Sequence, residues 1–232
     1  MFRYQDFGLK KDNLYEIIAT TYSINEDGKE IKPNASCMGI RMIEGEHIQI
    51  SPFYSTTTYK NLKEYSVIAI NFVNDVYFYA LAALKEPDSP IGLINFPTKY
   101  YDFKYLESRA MDVPYIKKAW GIIIGEVSQE LQKTKKDDLG EVIIPIFKLN
   151  VIFSEKFQES YKLFNRADNL ALETIILATR LKIAKENQKQ LLFSKIHKKI
   201  MNYIENIKRF GKNEKALNTI ELVNKYVNNL TT

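Results

Sequence analysis

Apolar and polar positions alternate with one period over the first two thirds of the chain and another over the last third. In the first part, short runs rich in β-branched and aromatic residues predict strands at Leu14–Ile24, Ala35–Ile43, His47–Ser51, Ser66–Val73, Trp120–Val127 and Val142–Phe153. Asn25-Glu26-Asp27-Gly28 carries the Asp-Gly signal of a tight hairpin, and Glu44-Gly45-Glu46 marks another turn. Ser66–Val73 is apolar at successive positions, the pattern of a strand covered on both faces. Pro145 has no N–H for a ladder, which places its part of the last run at an edge or a bend. Two short helices interrupt the strands, Thr58–Tyr65 after a hydroxyl-rich cap and Asp75–Leu84 with Asp75 at its start and Pro87 beyond its end. Glu86–Tyr105 reads as loop, and Tyr105–Tyr115 as a further helical turn or two. From Asn165 the period becomes helical, over Asp168–Glu186, Lys189–Phe210 and Glu214–Asn229, with Gly211 in the second gap. The pattern predicts an α+β chain: an antiparallel β-barrel over residues 1–158 and an α-helical appendage over residues 159–232.

Composition narrows what such a chain does. Its 232 residues are 45% hydrophobic and carry 33 Lys and Arg against 28 Asp and Glu, ordinary globular proportions with a net charge of +5. The basic excess is local: residues 181–232 hold 11 Lys and Arg against 4 Asp and Glu, and the rest hold 22 against 24. A polyanion site and a solvated helical face both fit that bias. Phe193, Tyr203, Phe210 and Tyr226 fall among Leu and Ile at helical spacing, which suits core packing better than base stacking, so nucleic acid is not the expected partner. The longest apolar runs, Ser66–Val73 and Gly121–Gly125, are too short for a membrane span. The first sixteen residues carry charge where an export leader needs an apolar core, so the expected location is the cytoplasm.

Much familiar chemistry is missing. There is no GxGxxG loop, no Walker loop and no HExxH. His47 and His197 are isolated, Cys37 is the single cysteine, and no metal site is expected. Cys37 reads as a packed thiol, with nothing nearby in sequence to lower its pKa. Chemistry in this chain therefore calls for a bound organic cofactor.

Two segments suit one. In Ser51-Pro-Phe-Tyr-Ser-Thr-Thr-Thr-Tyr-Lys-Asn61, four successive hydroxyl residues, Ser55 to Thr58, enter a helix start. Free N–H groups and hydroxyls there attract a phosphate, with Lys60 or Lys63 adding charge; an ordinary Thr cap has the same sequence. In Pro33–Ile40, strand alternation puts Asn34, Ser36, Met38 and Ile40 on one face and Ala35, Cys37 and Gly39 on the other. The second face is compact enough for a flat ring to lie against it, or for close sheet packing.

These segments carry a resemblance. Pro33-Asn-Ala-Ser-Cys-Met-Gly39, Thr58-Tyr-Lys-Asn-Leu62, Asn71-Phe-Val-Asn-Asp75 and Asn165-Arg-Ala167, with Glu173 and Ala178-Thr-Arg-Leu181, occur in order over nearly the whole chain. The set resembles flavin reductase-like FMN-binding split barrels, and more closely an archaeal family of FMN-binding split-barrel proteins catalogued as a domain of unknown function. The resemblance implies an antiparallel Greek-key split barrel that dimerises and binds FMN near the subunit interface. It assigns Ser55, Thr57, Thr58 and Asn61 to the phosphate, and Asn34, Ser36, Cys37, Met38 and Gly39 to the ribityl chain and ring. Asn71 is placed on a strand close by. Cys37 departs from the small apolar residue or Pro expected at its position.

One further pattern lies in the last third. Arg166, Glu173 and Arg180 are seven apart and share a helix face, with neighbours about 10.5 Å apart at 1.5 Å per residue. That is too far for an intrahelical ion pair. With Leu170, Leu172, Ile175, Ile176, Leu177 and Leu181 around it, the stripe is expected to be partly enclosed and paired across helices or subunits; contact with an anionic substrate is the rival reading. Together these readings describe a cytoplasmic, homodimeric FMN protein that transfers hydride or electrons, with a nicotinamide or other donor. A flavin carrier or sensor, and a nucleic-acid module built on the basic helices, are the alternatives.

Overall fold

The computed structural model describes residues 3–24, 31–44, 47–137, 140–160, 165–210 and 213–231. The turns expected at 25–28 and 45–46, and Gly211, lie outside the described residues. In chain order the elements are β1 (Leu14–Ile24), β2 (Ile31–Ile43), β3 (His47–Ile50), α1 (Thr57–Tyr65), β4 (Val67–Phe72), α2 (Val76–Ala83), β5 (Tyr101–Leu106), β6 (Met111–Ile116), β7 (Gly121–Asp137), β8 (Gly140–Lys156), α3 (Arg166–Glu186), α4 (Gln190–Phe210) and α5 (Glu214–Thr231). They form two compact units. The first is Met1–Asn74, Pro97–Lys136 and Glu141–Ser160; the second is Asp75–Phe96, Asp137–Gly140 and Tyr161–Thr232.

The first unit is a closed six-stranded antiparallel barrel in the order β1-β2-β3-β8-β7-β4. Alternate residues turn inward: Ile17 and Ala19, Ile40 and Met42, Ile48 and Ile50, Ile68 and Ile70, Phe147 and Leu149 make its core. Every residue of β4 is buried, as its unbroken apolar run requires. β8 pairs with β3 through Phe147–Leu149, so Pro145 lies outside that ladder. β7 pairs with β4 only through Gly121–Glu126, and both β7 and β8 run on as a longer ribbon.

Residues 105–115 are not helical. β5 and β6 form a separate antiparallel ribbon, joined by a single 3-10 turn at Glu107–Arg109. The ribbon is fixed on the barrel from β6: Thr20 Oγ1 donates to Pro114 O at 2.5 Å, and Ile116 N–H donates to Asn71 Oδ1 at 2.7 Å. Those contacts come from distant strands and override the local helical signal of Glu107-Ser-Arg-Ala110.

The second unit is helical. The sequence division at 158/159 leaves Asp75–Phe96 with the barrel, whereas here α2 packs on α3 and α5. Six of the eight α2 residues are buried, so this short helix is apolar around most of its circumference. α3 buries Ala167, Ala171, Ala178 and Ala184, small side chains that let neighbouring helices approach closely. Its N-cap is Asn165, which accepts from Ala167 N–H at 2.9 Å, starting the helix two residues before Asp168. Lys182 ties the unit together, reaching Glu86 at 2.5 Å and Asp88 at 3.1 Å, while Tyr226 Oη donates to Glu86 at 2.9 Å. Among the described residues no helix is long and apolar enough to cross a membrane.

Candidate functional site

Helix α1 begins one residue earlier than expected. Thr56 is extended (φ −82°, ψ 149°), and its Oγ1 accepts from Tyr59 N–H at 3.2 Å and donates to Phe53 O at 2.7 Å. Thr56 is therefore the N-cap, and the N–H groups of Thr57 and Thr58 belong to the first turn, where a helix supplies no acceptor. The helix is pinned on its far side. Tyr59 Oη donates to Glu130 on β7 at 3.1 Å, and Lys63 pairs with the same carboxylate at 2.7 Å. Burial, then the Glu130 carboxylate, push the Tyr59 phenol above its ordinary pKa.

A groove of about 360 Å³ opens between this helix start and β2. Ser36, Cys37, Met38 and Gly39 line it from the strand, Thr56 and Thr58 from the helix, and Ser51, Pro52 and Phe53 from the turn between. Arg41, Gln49, Ile50, Leu14, Lys133 and Ile144 complete the wall. Two cations and no carboxylate or imidazole stand among these lining residues, so the groove is complementary to an anion.

The structure brings five of the expected site residues, Ser36, Cys37, Met38, Gly39 and Thr58, to one wall. The others do not line it. Ser55 and Thr57 are exposed on the turn, and Thr56 takes the place assigned to them. Lys63 is paired with Glu130 rather than aimed at the groove. Asn61 is 5% exposed and donates to Thr21 Oγ1 at 3.0 Å, behind the wall. Asn34 donates to Thr21 and Thr58, both at 3.3 Å. Asn71 is fully buried; its Nδ2 donates to Ile18 O at 2.8 Å and Thr20 Oγ1 at 3.0 Å, and its Oδ1 holds Ile116. Asn71 is thus a brace joining β1, β4 and β6.

Two local readings change. Cys37 is not packed away but half-buried on the groove wall. The compact face of β2 is already met over Gly39 by Leu14, since a Cβ at Gly39 would lie 2.7 Å from Leu14 Cδ1. Leu14 is 54% exposed, so the obstacle is the free end of a surface side chain. The stripe on α3 belongs to the helical unit. Arg166 and Glu173 are exposed and Arg180 is half-buried, so partial enclosure holds only at the Arg180 end.

Sequence reasoning passed over Thr56, Arg41, Gln49, Lys133 and Leu14. Thr56 was legible, as the residue whose cap fixes the turn. Lys133 sits in the polar run Gln132-Lys-Thr-Lys-Lys136, where no pattern distinguishes one lysine from another.

Residues 15–152 match the family described as the N-terminal domain of a protein of unknown function, DUF447. The chain belongs to the DUF447 family. No curated protein matches this DUF447 chain. Among solved structures, it is similar to an FMN-bound protein of the same family from Methanosarcina mazei, at 18% identity and a TM-score of 0.68, covering 97% of this chain and all of that one. It also matches the styrene monooxygenase flavin reductase of Pseudomonas putida S12 (14% identity, TM-score 0.42, 61% of this chain and 81% of that one). A third match is an FMN-binding protein from Thermus thermophilus (11% identity, TM-score 0.44, 63% and 72%). The first of these shows that the DUF447 chain has that protein's fold over nearly its whole length.

Proposed function

We infer that this protein is an FMN-binding flavoprotein whose flavin serves hydride or electron transfer. The observation that carries the reading is the groove: a capped helix start and hydroxyls beside a strand of compact residues, with two cations and no carboxylate among its lining. Its volume falls within the range of about 300–1,000 Å³ usual for small-ligand sites. The donor set fits a phosphate, with Ser36, Thr56, Thr58 and the first-turn N–H groups of α1 as its holders and Lys133 or Arg41 supplying charge. Cys37 to Gly39 and Leu14 are the residues against which the ring would rest. The FMN-bound relative in the same family supports the choice of ligand.

When bound, FMN supplies the redox chemistry; the protein contributes binding, orientation and control of access. The groove wall carries no side chain suited to act as a general acid or base near neutral pH, which agrees with a role limited to holding the flavin. The same observation suits a carrier or sensor, and turnover separates the two readings. A nicotinamide donor, a cytoplasmic location and a homodimer belong to the proposal. Leu14 and Phe53 at the groove, and Leu131, Val142 and Ile143 on the β7–β8 ribbon, are exposed apolar residues of the kind a second copy would cover.

Titrating flavin-free protein with FMN, riboflavin and FAD, read by flavin fluorescence, tests the reading. FMN should bind at least about tenfold more tightly than riboflavin, the equivalent of one or two hydrogen bonds to a charged group. No binding, or equal affinity for both, would overturn it. Reduction of the bound flavin by NADH or NADPH then separates an oxidoreductase from a carrier.

A further inference from the structure

Behind the groove wall lies a chain of five polar side chains: Asn61, Thr21, Asn34, Thr58 and Ser36. Thr21 is 1% exposed, Thr58 2% and Asn61 5%. Asn61 Nδ2 donates to Thr21 Oγ1 at 3.0 Å. Asn34 Nδ2 donates to Thr21 Oγ1 and to Thr58 Oγ1, each at 3.3 Å. Thr58 Oγ1 and Ser36 Oγ are 2.8 Å apart. Only the last two members reach the groove.

A proton inventory gives this chain a direction. A primary amide nitrogen has two hydrogens, and a hydroxyl has one hydrogen and two lone pairs. Both hydrogens of Asn34 are engaged, one on Thr21 and one on Thr58. Thr58 therefore has one lone pair filled from inside. If Ser36 donates to Thr58, the second lone pair is filled too, and the Thr58 proton points outward. If Thr58 donates to Ser36, the Ser36 proton points outward instead. In both arrangements the pair keeps one O–H for the groove.

We propose that Asn34 is a positioning residue: held against Thr21, it fixes the polarity of the Thr58–Ser36 pair so that the pair donates an O–H to an anionic oxygen in the groove. Asn34 acts through Thr58 and does not itself touch the ligand. This rests on the phosphate reading of the groove. It adds the claim that preference for a phosphorylated flavin is set one layer behind the contact residues.

A double-mutant cycle tests it, with the ratio of FMN to riboflavin affinity as the readout. Asn34→Leu should lower that ratio about tenfold and leave riboflavin affinity within about twofold, because only the phosphate reads the hydroxyl proton. In a Thr58→Val background, the same substitution should lower the ratio no further. An equal drop in both backgrounds would show Asn34 touching the ligand directly, and an unmoved ratio would show no role in recognition; either result overturns the proposal. If the wild-type protein binds FMN no better than riboflavin, the phosphate reading falls first and this falls with it. Should Asn34→Leu fail to fold, Asn34→Asp keeps the shape and takes its place. Its added charge repels phosphate in both backgrounds, so the expected signature is a loss that is smaller with Thr58→Val, and equal losses would overturn the proposal.

Discussion

Replacing Asn71 with Leu separates a brace from a ligand contact. The two side chains are close in volume, so the change mainly deletes hydrogen bonds. Ile116 N–H, which donates to Asn71 Oδ1 at 2.7 Å on a fully buried residue, would lose its acceptor. An unsatisfied buried donor costs about 1–3 kcal/mol. The amide bonds to Ile18 O and Thr20 Oγ1 go as well, each worth about 1 kcal/mol net. With partial compensation from the apolar replacement, the expected destabilisation is about 2–4 kcal/mol. At a urea dependence of about 1–3 kcal/mol per molar, the midpoint should fall by about 1–2 M. Trp120 is the single tryptophan and packs on Phe72 with ring centroids 5.1 Å apart, so its emission follows the barrel. FMN affinity, measured without urea, should be nearly unchanged. An unmoved midpoint with FMN affinity lost would refute the argument and return Asn71 to the ligand site.

Two other substitutions probe the groove and the helical unit. Gly39→Ala places a methyl group 2.7 Å from the free end of Leu14, so stability should change by less than about 1 kcal/mol while FMN and riboflavin both weaken by about tenfold; unequal losses would show that the strand reads the phosphate end instead. The Asp88 carboxylate is held below its ordinary pKa, chiefly by its hydrogen bond from Lys182. A depressed carboxylate stabilises the fold above its unfolded pKa of about 3.9, and that stability is lost as pH falls through the lower folded value. Lys182→Met should therefore flatten the acid limb of the helical unit's stability, followed by circular dichroism between about pH 2 and 5; an acid limb unchanged by the substitution would remove Lys182 from the account.

Much of the barrel was legible because its inward face repeats every second residue. Ile17 and Ala19, or Ile48 and Ile50, declare a strand without help from the rest of the chain. The distal part of β7, Gln129 to Asp137, showed no such signal, since that ribbon is held by its ladder and not by burial on one face. β5 and β6 were misread for a related reason: what fixes them is Ile116 reaching Asn71 and Thr20 reaching Pro114, contacts between strands far apart in sequence. The division into units failed at α2 because chain order sets it beside the barrel, while its partners α3 and α5 lie much later. At the site, the hydroxyl turn and the compact strand are local features, and local patterns disclose them. Leu14 over Gly39 depends on the pairing of β1 with β2, and Lys133 beside Thr58 depends on how β7 is placed.

The deferred packing of α2 has a consequence for synthesis on the ribosome. Its residues Val76, Phe78, Tyr79, Ala80, Leu81 and Ala82 are made early, but α3 starts only at Arg166, about 80 residues later, and α5 at Glu214. At translation rates of about 5–20 residues per second, the nascent chain carries this sticky octapeptide unsheltered for roughly 4–16 s. Over that interval the growing protein depends on chaperones, and stalling before α3 emerges would leave a natural seed for aggregation.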